Sequence, residues 1–244
     1  MKDCVLTVAE NEPLTKEVYR MALRGDVSAF TAPGQFLNLR LEGRFLRRPI
    51  SLCDLGEDSL TIIYKVVGQG TAQLAALGPG ERLDALTGLG NGYDLSDAGD
   101  RPLVIGGGVG VPPMYLLAKR LRALGKPVKA VLGFNKASEI FYEEEFRALG
   151  CDVTVATADG SYGVRGFVTD ALPETYSYYY CCGPEPTLKA VYRTARGSGQ
   201  LSFEKRMGCG FGACMGCSCR TITGYKRICR EGPVLRKEEI AWED

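Results

Sequence analysis

Four cysteines towards the end of the chain have a spacing that suits metal binding. Cys209, Cys214 and Cys217 follow the pattern C-x4-C-x2-C, and Cys229 comes after eleven intervening residues. Three thiolates in one loop, with a fourth further along the chain, is the plant-type arrangement for a [2Fe–2S] cluster. Glycines between the cysteines allow backbone amides to approach the sulfurs closely. We therefore predict that these four cysteines are the ligands of a [2Fe–2S] cluster.

Two other interpretations of the cysteines stay open. Zinc also binds four thiolates, although zinc sites usually combine short paired spacings and a four-residue gap is unusual for them. Cys219 lies two residues beyond Cys217 and is a fifth candidate ligand. The spacing favours Cys217 as the ligand, so we predict that Cys219 is a bystander.

A glycine-rich loop at residues 106–110 has the character of a dinucleotide-binding turn. It follows an apolar run at 102–105, and Pro112 suits the first turn of the helix that comes next. Such a turn brings backbone N–H groups and a helix start against a diphosphate. A second turn, at 182–184, also follows an apolar strand, so both should lie at the same edge of a parallel sheet. Taken alone, the glycine-rich loop is a weak signal that an ordinary tight turn also explains, but the strand before it and the helix after it favour nucleotide binding. Cys182 fits a buried thiol equally well.

The first hundred residues carry polar residues of the kind that bind phosphate. Arg48 can hold a phosphate by a bidentate contact, and the nearby Ser51 hydroxyl can both donate and accept a hydrogen bond. Thr71 is a good N-cap for a short helix whose start would attract an anion. By themselves, Arg47 and Arg48 are best explained as a solvated arginine pair between strands. A simple capped turn explains Thr71 as well as an anion site does.

The elements that must position these residues change in type along the chain. Short apolar or alternating runs separated by Gly/Pro turns predict a small antiparallel barrel in residues 1–98. Strands that alternate with helices predict a parallel α/β sheet in residues 99–200. Residues 201–244 form a tail rich in cysteine and glycine. The predicted strands lie at 5–8, 18–21, 36–39, 60–64, 102–105, 128–132, 153–156 and 176–181.

Composition excludes several classes of protein. Of the 244 residues, 45% are hydrophobic and 24% are charged, as in ordinary globular proteins. The net charge of +1 gives no field that would attract nucleic acid or an anionic membrane. Because the chain has no histidine, Ser-His-Asp and Cys-His catalysis and Rieske-type clusters are excluded. No signal peptide or membrane-length apolar run is recognisable, so we expect a cytoplasmic protein.

Taken in order, these motifs resemble the ferredoxin–NADP reductase-like flavoprotein superfamily. With the cysteines added, essentially the whole chain is similar to the electron-transfer subunits of class 1B dihydroorotate dehydrogenase. The resemblance implies an α/β plus β fold, with an antiparallel FAD-binding β-barrel, a parallel-sheet NAD-binding domain and a small C-terminal [2Fe–2S] domain. The most specific matching segments are 48–51, 70–71, 106–110, 159–163 and 204–217, together with Cys229.

The resemblance also implies which residues bind the cofactors. FAD would be contacted by nine residues: Arg48, Pro49, Ile50, Ser51, Ile63, Tyr64, Lys65, Gly70 and Thr71. NAD would be contacted by residues of the two turns that follow strands: Gly108, Gly110, Pro112, Cys182, Gly183 and Pro184. The implied cluster ligands are the same four cysteines that the spacing indicates.

The implied function is electron transfer that needs no catalytic acid or base from this chain. A partner subunit would oxidise dihydroorotate at its own FMN. Electrons would then pass through the cluster and FAD to NAD+ in pyrimidine biosynthesis, within a heterotetramer of two copies of each subunit. Asp159, after the third strand of the α/β segment, favours NAD over NADP because a carboxylate there disfavours a 2′-phosphate.

Two other functions stay open. Related FAD and [2Fe–2S] subunits of ferredoxin:NADP transhydrogenases or sulfide dehydrogenases are similar in motif order and size. A zinc-stabilised binding module without redox activity belongs to a different class of protein. Colour separates the last from the others, because a flavin and iron–sulfur protein absorbs visible light and a zinc module is colourless.

Overall fold

The computed structural model describes residues 1–242. The N-terminal elements are β1 (Lys2–Pro13), β2 (Val18–Arg24), β3 (Phe36–Leu39), β4 (Arg48–Leu55), β5 (Ser59–Lys65), α1 (Gln69–Ala75) and β6 (Arg82–Leu89). The six strands close into an antiparallel barrel in the order β1-β2-β5-β4-β3-β6. Alternate side chains such as Leu37, Leu52 and Ile62 fill its interior, and α1 adds Leu74 to the same core. The predicted barrel is confirmed.

The two faces of β3 have different neighbours. Leu37 points into the barrel core. Phe36 instead packs with the C-terminal part of the chain, and Asn38 follows it on the same outer face. Antiparallel pairing with β4 places Phe36 opposite Ser51 and Asn38 opposite Pro49. The outer face of β3 and β4 is therefore directed towards the cysteine segment.

The sequence analysis did not predict β4, because it placed residues 47–51 in a connection between strands. Arg48–Ser51 form its first half and pair with β3, whereas β5 pairs with β4 at Leu52, Asp54 and Leu55. A proline and charged residues hide such a strand because they lack the apolar alternation that marks one. The residues predicted to bind phosphate thus form part of a strand of the barrel.

The rest of the chain forms an α/β sheet and a cysteine segment. Its elements are β7 (Pro102–Gly107), α2 (Val111–Ala123), β8 (Lys129–Phe134), α3 (Glu143–Ala148), β9 (Asp152–Thr157), β10 (Val164–Arg165), β11 (Tyr178–Cys182), α4 (Glu185–Thr194), β12 (Gly199–Ser202), β13 (Ser218–Thr221), β14 (Gly224–Arg227) and β15 (Val234–Arg236). The sheet order is β10-β9-β8-β7-β11-β12-β15, and all pairs except the last are parallel. The predicted parallel α/β architecture is confirmed. Within residues 1–242, no helix is both long enough and apolar enough to cross a bilayer.

The cysteine segment is anchored at both ends by this sheet. It leaves from β12 and returns as β15, which pairs antiparallel with β12 at the sheet edge. Between these strands, β13 and β14 form a two-stranded hairpin. The predicted boundary at residue 200 falls inside β12, so the sheet is continuous between the segments 99–200 and 201–244. Residues 243 and 244 of the last segment lie outside the described part.

The barrel and the sheet share an apolar core along β4. Cys53 of β4 belongs to the same buried cluster as Met114 and Leu117 of α2. Beside this contact, Lys119 of α2 forms an ion pair with Asp54 at 2.7 Å. The packing fixes the barrel against the start of α2, where the glycine-rich loop lies.

Candidate functional site

The four predicted ligand cysteines lie as two pairs. In the first pair, the Cys209 sulfur accepts hydrogen bonds from the N–H groups of Ala213 (3.2 Å) and Cys214 (3.4 Å). In the second pair, the sulfurs of Cys217 and Cys229 are 3.3 Å apart. Across residues 1–242, no three Cys, Asp or Glu side chains gather around one metal position. The chain therefore offers two thiols at each of two places, which suits a cluster with two irons and four thiolates.

The two pairs differ in exposure and acidity. Cys217 and Cys229 are buried, whereas Cys209 is half-buried and Cys214 is exposed. Burial, with a contribution from Cys217, raises the pKa of the Cys229 thiol to about 12. Burial also opposes ionisation of Cys209, but N–H donors of its own loop outweigh it and lower the pKa of that thiol to about 6. Amides aimed at the sulfur in this way also stabilise the charge that a cluster gains on reduction.

An arginine ties the two pairs together. The Arg227 guanidinium donates to the carbonyl oxygen of Gly212, in the loop of the first pair, at 2.7 Å. It also donates to both carboxylate oxygens of Glu231, at 3.1 and 2.9 Å from Nε. This contact lowers the pKa of Glu231 to about 2. The loop at 209–214 is thereby held against the segment that carries Cys229.

Cys219 belongs to neither pair. It lies in β13, and its sulfur contacts the carbonyl oxygen of Arg220 at 3.7 Å. Burial raises the pKa of its thiol. This position supports the interpretation of Cys219 as a bystander.

Arg48 and Gly70, both predicted to bind FAD, meet at the start of α1. A Cβ atom at Gly70 would lie 2.4 Å from Nε of Arg48, so the guanidinium packs directly on the glycine backbone. Arg48 also donates to the carbonyl oxygen of Leu46 at 2.7 Å. At Gly68, just before α1, a Cβ atom would meet no described atom within 4 Å. An arginine beside open space at a glycine turn fits a bound diphosphate.

Thr71 is not the N-cap of α1, contrary to the prediction. The N-cap is Gly68, and Thr71 occupies the third helical position. Its Oγ1 accepts the N–H groups of Val67 at 2.9 Å and of Gly68 at 3.3 Å, and donates to the Gly68 carbonyl at 3.1 Å. Thr71 therefore shapes the turn from the third helical position and supplies one half of a capping box, since Gly68 has no side chain to return a hydrogen bond.

The other predicted FAD residues of β4 divide between two faces. Pro49 and Ser51 share the outer face of the strand, where they pair with Asn38 and Phe36. Ile50 packs against the barrel core. The outer face of β4 thus presents Pro49 and Ser51 towards the cysteine segment.

Ile63, Tyr64 and Lys65 lie at the end of β5. Tyr64 is buried, and its hydroxyl donates to Oδ1 of Asn11 at 2.9 Å. Ile63 is buried in the core shared with the sheet, and Lys65 pairs with Glu17 at 3.0 Å. Because the Ile63 and Tyr64 side chains are engaged within the protein, a ligand beside this segment would meet the backbone of β5 and the half-exposed Lys65 side chain.

The two turns predicted to bind NAD touch each other. β7 and β11 are parallel neighbours, so both turns lie at the carboxyl edge of the sheet. A Cβ atom at Gly110 would lie 2.3 Å from the carbonyl oxygen of Cys182, and one at Gly183 would lie 3.4 Å from Cα of Gly107. Gly108 has φ +52°, and a Cβ atom there would meet no described atom within 4 Å. The space above Gly108 fits part of a dinucleotide.

Each of these turns opens a helix. Pro112 is buried in the first turn of α2. Pro184 is the N-cap residue of α4, which begins at Glu185. Both helices therefore start at the carboxyl edge of the sheet, where Thr187 of α4 contacts Gly107, as a dinucleotide turn requires.

Cys182 is a protonated thiol in this environment. Burial raises the pKa of the thiol to about 12, although a hydrogen bond with Ser202 acts in the opposite direction. Tyr93 donates to the carbonyl oxygen of the neighbouring Cys181 at 2.9 Å. Ser202 and Tyr93 were missed by the sequence analysis, because neither belongs to a motif and both reach the turn only through the fold.

Asp159 lies where the loops after β8 and β9 meet. Its N–H donates to the carbonyl oxygen of Asn135 at 3.1 Å. Its carboxylate accepts from the Ser161 hydroxyl at 2.6 Å and from the Ser161 N–H at 2.9 Å. These hydrogen bonds lower the pKa of Asp159, so it is a carboxylate at neutral pH. The charge stands at the sheet edge where the third strand ends.

Comparison with known proteins identifies the family. Residues 204–241 match the family model described as the iron–sulfur cluster binding domain of dihydroorotate dehydrogenase B. The chain is 43% identical over 256 residues to a Bacillus pumilus protein named dihydroorotate dehydrogenase B (NAD(+)), electron transfer subunit, with 99% of each chain covered. A Fusobacterium nucleatum protein of the same name is 41% identical, with 100% of this chain and 99% of the relative covered.

Solved structures agree on the fold. The chain aligns with a structure of an NADH-dependent reduced ferredoxin–NADP oxidoreductase, studied for flavin-based electron bifurcation, with TM-score 0.89 and 28% identity; the alignment covers 98% of this chain and 90% of that one. A cytochrome P450 reductase from Amycolatopsis aligns with TM-score 0.69 and 23% identity, over 80% and 67% of the two chains, and shows the fold alone. The iron–sulfur match favours the cluster over the zinc alternative. With near-complete coverage by relatives above 40% identity, the chain belongs to the family of electron transfer subunits of dihydroorotate dehydrogenase B (NAD(+)).

Proposed function

We propose that the chain passes electrons between a dihydroorotate-oxidising partner and NAD+, by way of a [2Fe–2S] cluster and FAD, in pyrimidine biosynthesis. The observation that carries the proposal is the arrangement of the two cysteine pairs. The buried pair, Cys217 and Cys229, belongs to the same hydrophobic core as Phe36, which lies on the outer face of the barrel. The other pair reaches the surface at Cys214. A cluster held by both pairs would lie between the protein surface and the flavin-binding barrel.

Three groups of residues would hold the cofactors in this proposal. Cys209, Cys214, Cys217 and Cys229 would be the cluster ligands. FAD would lie along β4, β5 and α1, where the contact of Arg48 with Gly70 and the open space at Gly68 support a diphosphate site. NAD would lie at the two touching turns, supported by the open space above Gly108.

The residues of this chain would bind and orient the cofactors and would not take part in the reaction themselves. When bound, FAD and the cluster supply the conversion between hydride transfer and single-electron transfer. Arg48 would hold the diphosphate by charge, and the touching glycine turns would admit the dinucleotide close to the backbone. The Cys182 thiol would give the bound NAD a neutral contact, because burial raises its pKa and a thiol is a poor nucleophile until it ionises. The reaction requires no side-chain acid or base from this chain.

The proposed partner is an FMN-containing catalytic subunit, assembled as a heterotetramer with two copies of each chain. The family name supports a partner because the relatives are named as subunits. Beside the exposed Cys214, the apolar side chains of Phe211 and Met215 are also exposed. Such residues at the surface support contact with another protein. A cytoplasmic location stays a prediction from the sequence.

Co-expression with a candidate FMN subunit tests the proposal. We expect the complex to reduce NAD+ when dihydroorotate is added, and the chain alone to be inactive with dihydroorotate. The chain alone should contain FAD, iron and acid-labile sulfide, and should oxidise NADH with an artificial acceptor. A complex that contains these groups but does not respond to dihydroorotate would contradict the proposed function.

A second candidate function is supported by one comparison. The reduced ferredoxin–NADP oxidoreductase structure shares 28% identity and nearly the full length with this chain. If the chain instead served such an enzyme, its partner would carry further iron–sulfur clusters and would respond to reduced ferredoxin rather than dihydroorotate. The same co-purification distinguishes the two, because the metal content of the partner differs.

We expect Asp159→Asn to weaken the preference for NADH over NADPH. The variant removes a carboxylate charge at the proposed ribose position while keeping side-chain size and the turn. We expect kcat/KM for NADPH to rise roughly fivefold relative to that for NADH, a modest change because the charge is exposed to solvent. Steady-state assays with an artificial acceptor measure the ratio.

Asp152→Asn is the matched control for this prediction. Asp152 is likewise an exposed aspartate, but it lies at the start of β9, at the opposite end of the strand from the loop that carries Asp159, and it pairs with Lys129 at 3.3 Å. We expect its substitution to leave the NADH to NADPH ratio unchanged. Equal ratios for the parent and Asp159→Asn would contradict a role of Asp159 in nucleotide selection.

A further inference from the structure

Asn38 connects the barrel to the loop that carries Cys209. Its Nδ2 donates to the carbonyl oxygen of Cys209 at 3.3 Å, across a separation of 171 residues in the sequence. A Cβ atom at Gly210 would lie 2.4 Å from the same Nδ2, so the loop backbone packs directly on the amide. The cysteine loop therefore packs against the Asn38 side chain of β3 at its start, whereas the Arg227 contact lies further along the loop, at Gly212.

The Asn38 amide is buried and incompletely paired. Its residue is 1% exposed, and Oδ1 has no hydrogen-bond partner among the described residues. A buried acceptor without a partner is destabilising, and an apolar residue would avoid this cost. The backbone of Asn38 is itself held, because Arg47 donates to its carbonyl oxygen at 3.3 Å. A polar group kept at such a position indicates a role beyond packing.

The position of Asn38 lies between the two proposed cofactor sites. It pairs across the strands with Pro49, and Pro49 and Ser51 share its outer face. On the other side of Asn38 stands Cys209, the first of the four cysteines. The side chain thus spans the gap between the flavin-binding strand and the cluster loop.

We propose that Asn38 is a positioning residue that fixes the Cys209 loop against β3 and β4, and so sets the rate of electron transfer between FAD and the cluster. This inference rests on the proposed function. Single-electron transfer through protein falls steeply with distance, so a loop that moves away from the barrel transfers electrons more slowly. Hydride transfer depends on how NAD, held at the two glycine turns, meets FAD. Asn38 contacts neither turn in the described structure, so we expect this step to keep its rate.

Anaerobic mixing of the FAD- and cluster-loaded chain with NADH separates the two steps. NADH gives a hydride, and hence two electrons, to FAD and leaves as NAD+; one electron then passes from the flavin to the oxidised cluster. In Asn38→Ala and Asn38→Asp, we expect the first step at the parental rate and the second slowed roughly tenfold or more, the size typical of residues that orient a metal ligand. Asn38→Asp keeps the side-chain size but replaces the N–H donor with an acceptor.

Asn91→Ala is the matched control. Asn91 also joins the barrel side to the C-terminal segment, since its Nδ2 donates to the carbonyl oxygens of Glu231 at 3.3 Å and Val234 at 2.8 Å. It does not contact the loop at 209–214 in the described structure. We expect both steps at parental rates in this variant. The electron paramagnetic resonance spectrum of the reduced cluster should change in the Asn38 variants and stay parental in Asn91→Ala.

Several results would overturn the inference. They are a parental second step in Asn38→Asp, an equal slowing in Asn91→Ala, and the loss of both FAD and iron from Asn38→Asp, which would indicate general packing. If Asn38→Ala loses its iron, the rate of the second step in Asn38→Asp, whose side chain has the size of the parental asparagine, decides whether the inference holds. Failure of the proposed function looks different, because it would show in the parental chain itself, either as a missing flavin or cluster signal or as a complex that does not respond to dihydroorotate.

Discussion

Cys217→Ser is expected to remove iron and acid-labile sulfide from the chain and to abolish dihydroorotate-dependent reduction of NAD+ in the complex. Cys217 is buried, and its sulfur lies 3.3 Å from that of Cys229. A serine hydroxyl is a harder and more weakly binding group than a thiolate. The iron that Cys217 and Cys229 would hold would therefore lose one of its two protein ligands. Changes in residues that merely orient a ligand cost about 10- to 100-fold, and loss of the ligand itself should cost more.

Cys217→Ser should keep FAD binding and the oxidation of NADH. The residues around Arg48, Gly70 and Gly108 lie in other elements, so FAD should stay bound and NADH should still reduce an artificial acceptor. Iron and sulfide analysis, the visible spectrum and the two activities, measured on one preparation, check this separation. Loss of both activities together would indicate unfolding instead of cluster loss.

Cys219→Ser is the control for the cluster prediction. Its sulfur belongs to neither cysteine pair and contacts a backbone carbonyl. We expect this variant to retain the iron and sulfide of the parent and its full activity in the complex. The ligand assignment would be wrong if Cys219→Ser lost the cluster while Cys217→Ser kept it.

The fold could be predicted where strands are apolar and regular. The predicted strand at 36–39 coincides with β3, and those at 102–105 and 153–156 fall inside β7 and β9. β4 was missed because Arg48 and Pro49 interrupt its pattern, although neighbouring strands pair with it on both sides. β15 was also missed, since its place at the sheet edge depends on pairing with β12 across the whole cysteine segment. Pairing between distant residues leaves no mark in a local pattern.

The candidate site also contains residues that local motifs predict and contacts that only the fold reveals. Local spacing indicated the four cysteines, but their association as 209 with 214 and 217 with 229 appears only in three dimensions. Thr71 was recognised as a capping residue but assigned to the wrong helical position, because a glycine at the N-cap leaves no side-chain signal. Asn38 carried no signal, since its contact with Cys209 joins two segments with unrelated local patterns. Motifs therefore reveal groups that contact ligands, whereas groups that hold one segment against another require the fold.

Arg48→Ala should release FAD while leaving the fold and the cluster intact. The Arg48 guanidinium lies on Gly70, beside the open turn at Gly68, and is the charged group proposed to hold the diphosphate. Hydrogen bonds to charged groups contribute about 1.5–3 kcal/mol, which corresponds to FAD binding weakened by about 10- to 100-fold. Titration of the FAD-depleted chain with FAD, followed by flavin fluorescence, measures the affinity.

Arg47→Ala is the matched control, because the neighbouring arginine points elsewhere. Arg47 donates to the carbonyl oxygens of Asn38 at 3.3 Å and Asp84 at 3.4 Å. We expect its substitution to leave FAD affinity within about twofold of the parent, since it loses contacts with the barrel and not with the diphosphate. Equal losses in the two variants would contradict a specific role for Arg48.

Gly70→Ala tests the contact between Arg48 and Gly70 by changing the glycine instead of the arginine. The added methyl would lie 2.4 Å from Nε of Arg48, so the guanidinium must move, and a flexible side chain can do so at little cost to stability. We therefore expect weaker FAD binding with a nearly unchanged melting temperature of the FAD-free chain. Gly78→Ala, whose methyl would meet only Oε2 of Glu81 at 3.7 Å, should retain parental affinity. If Gly70→Ala binds FAD as tightly as Gly78→Ala, the position of the Arg48 guanidinium does not determine flavin binding, and the diphosphate must be held elsewhere.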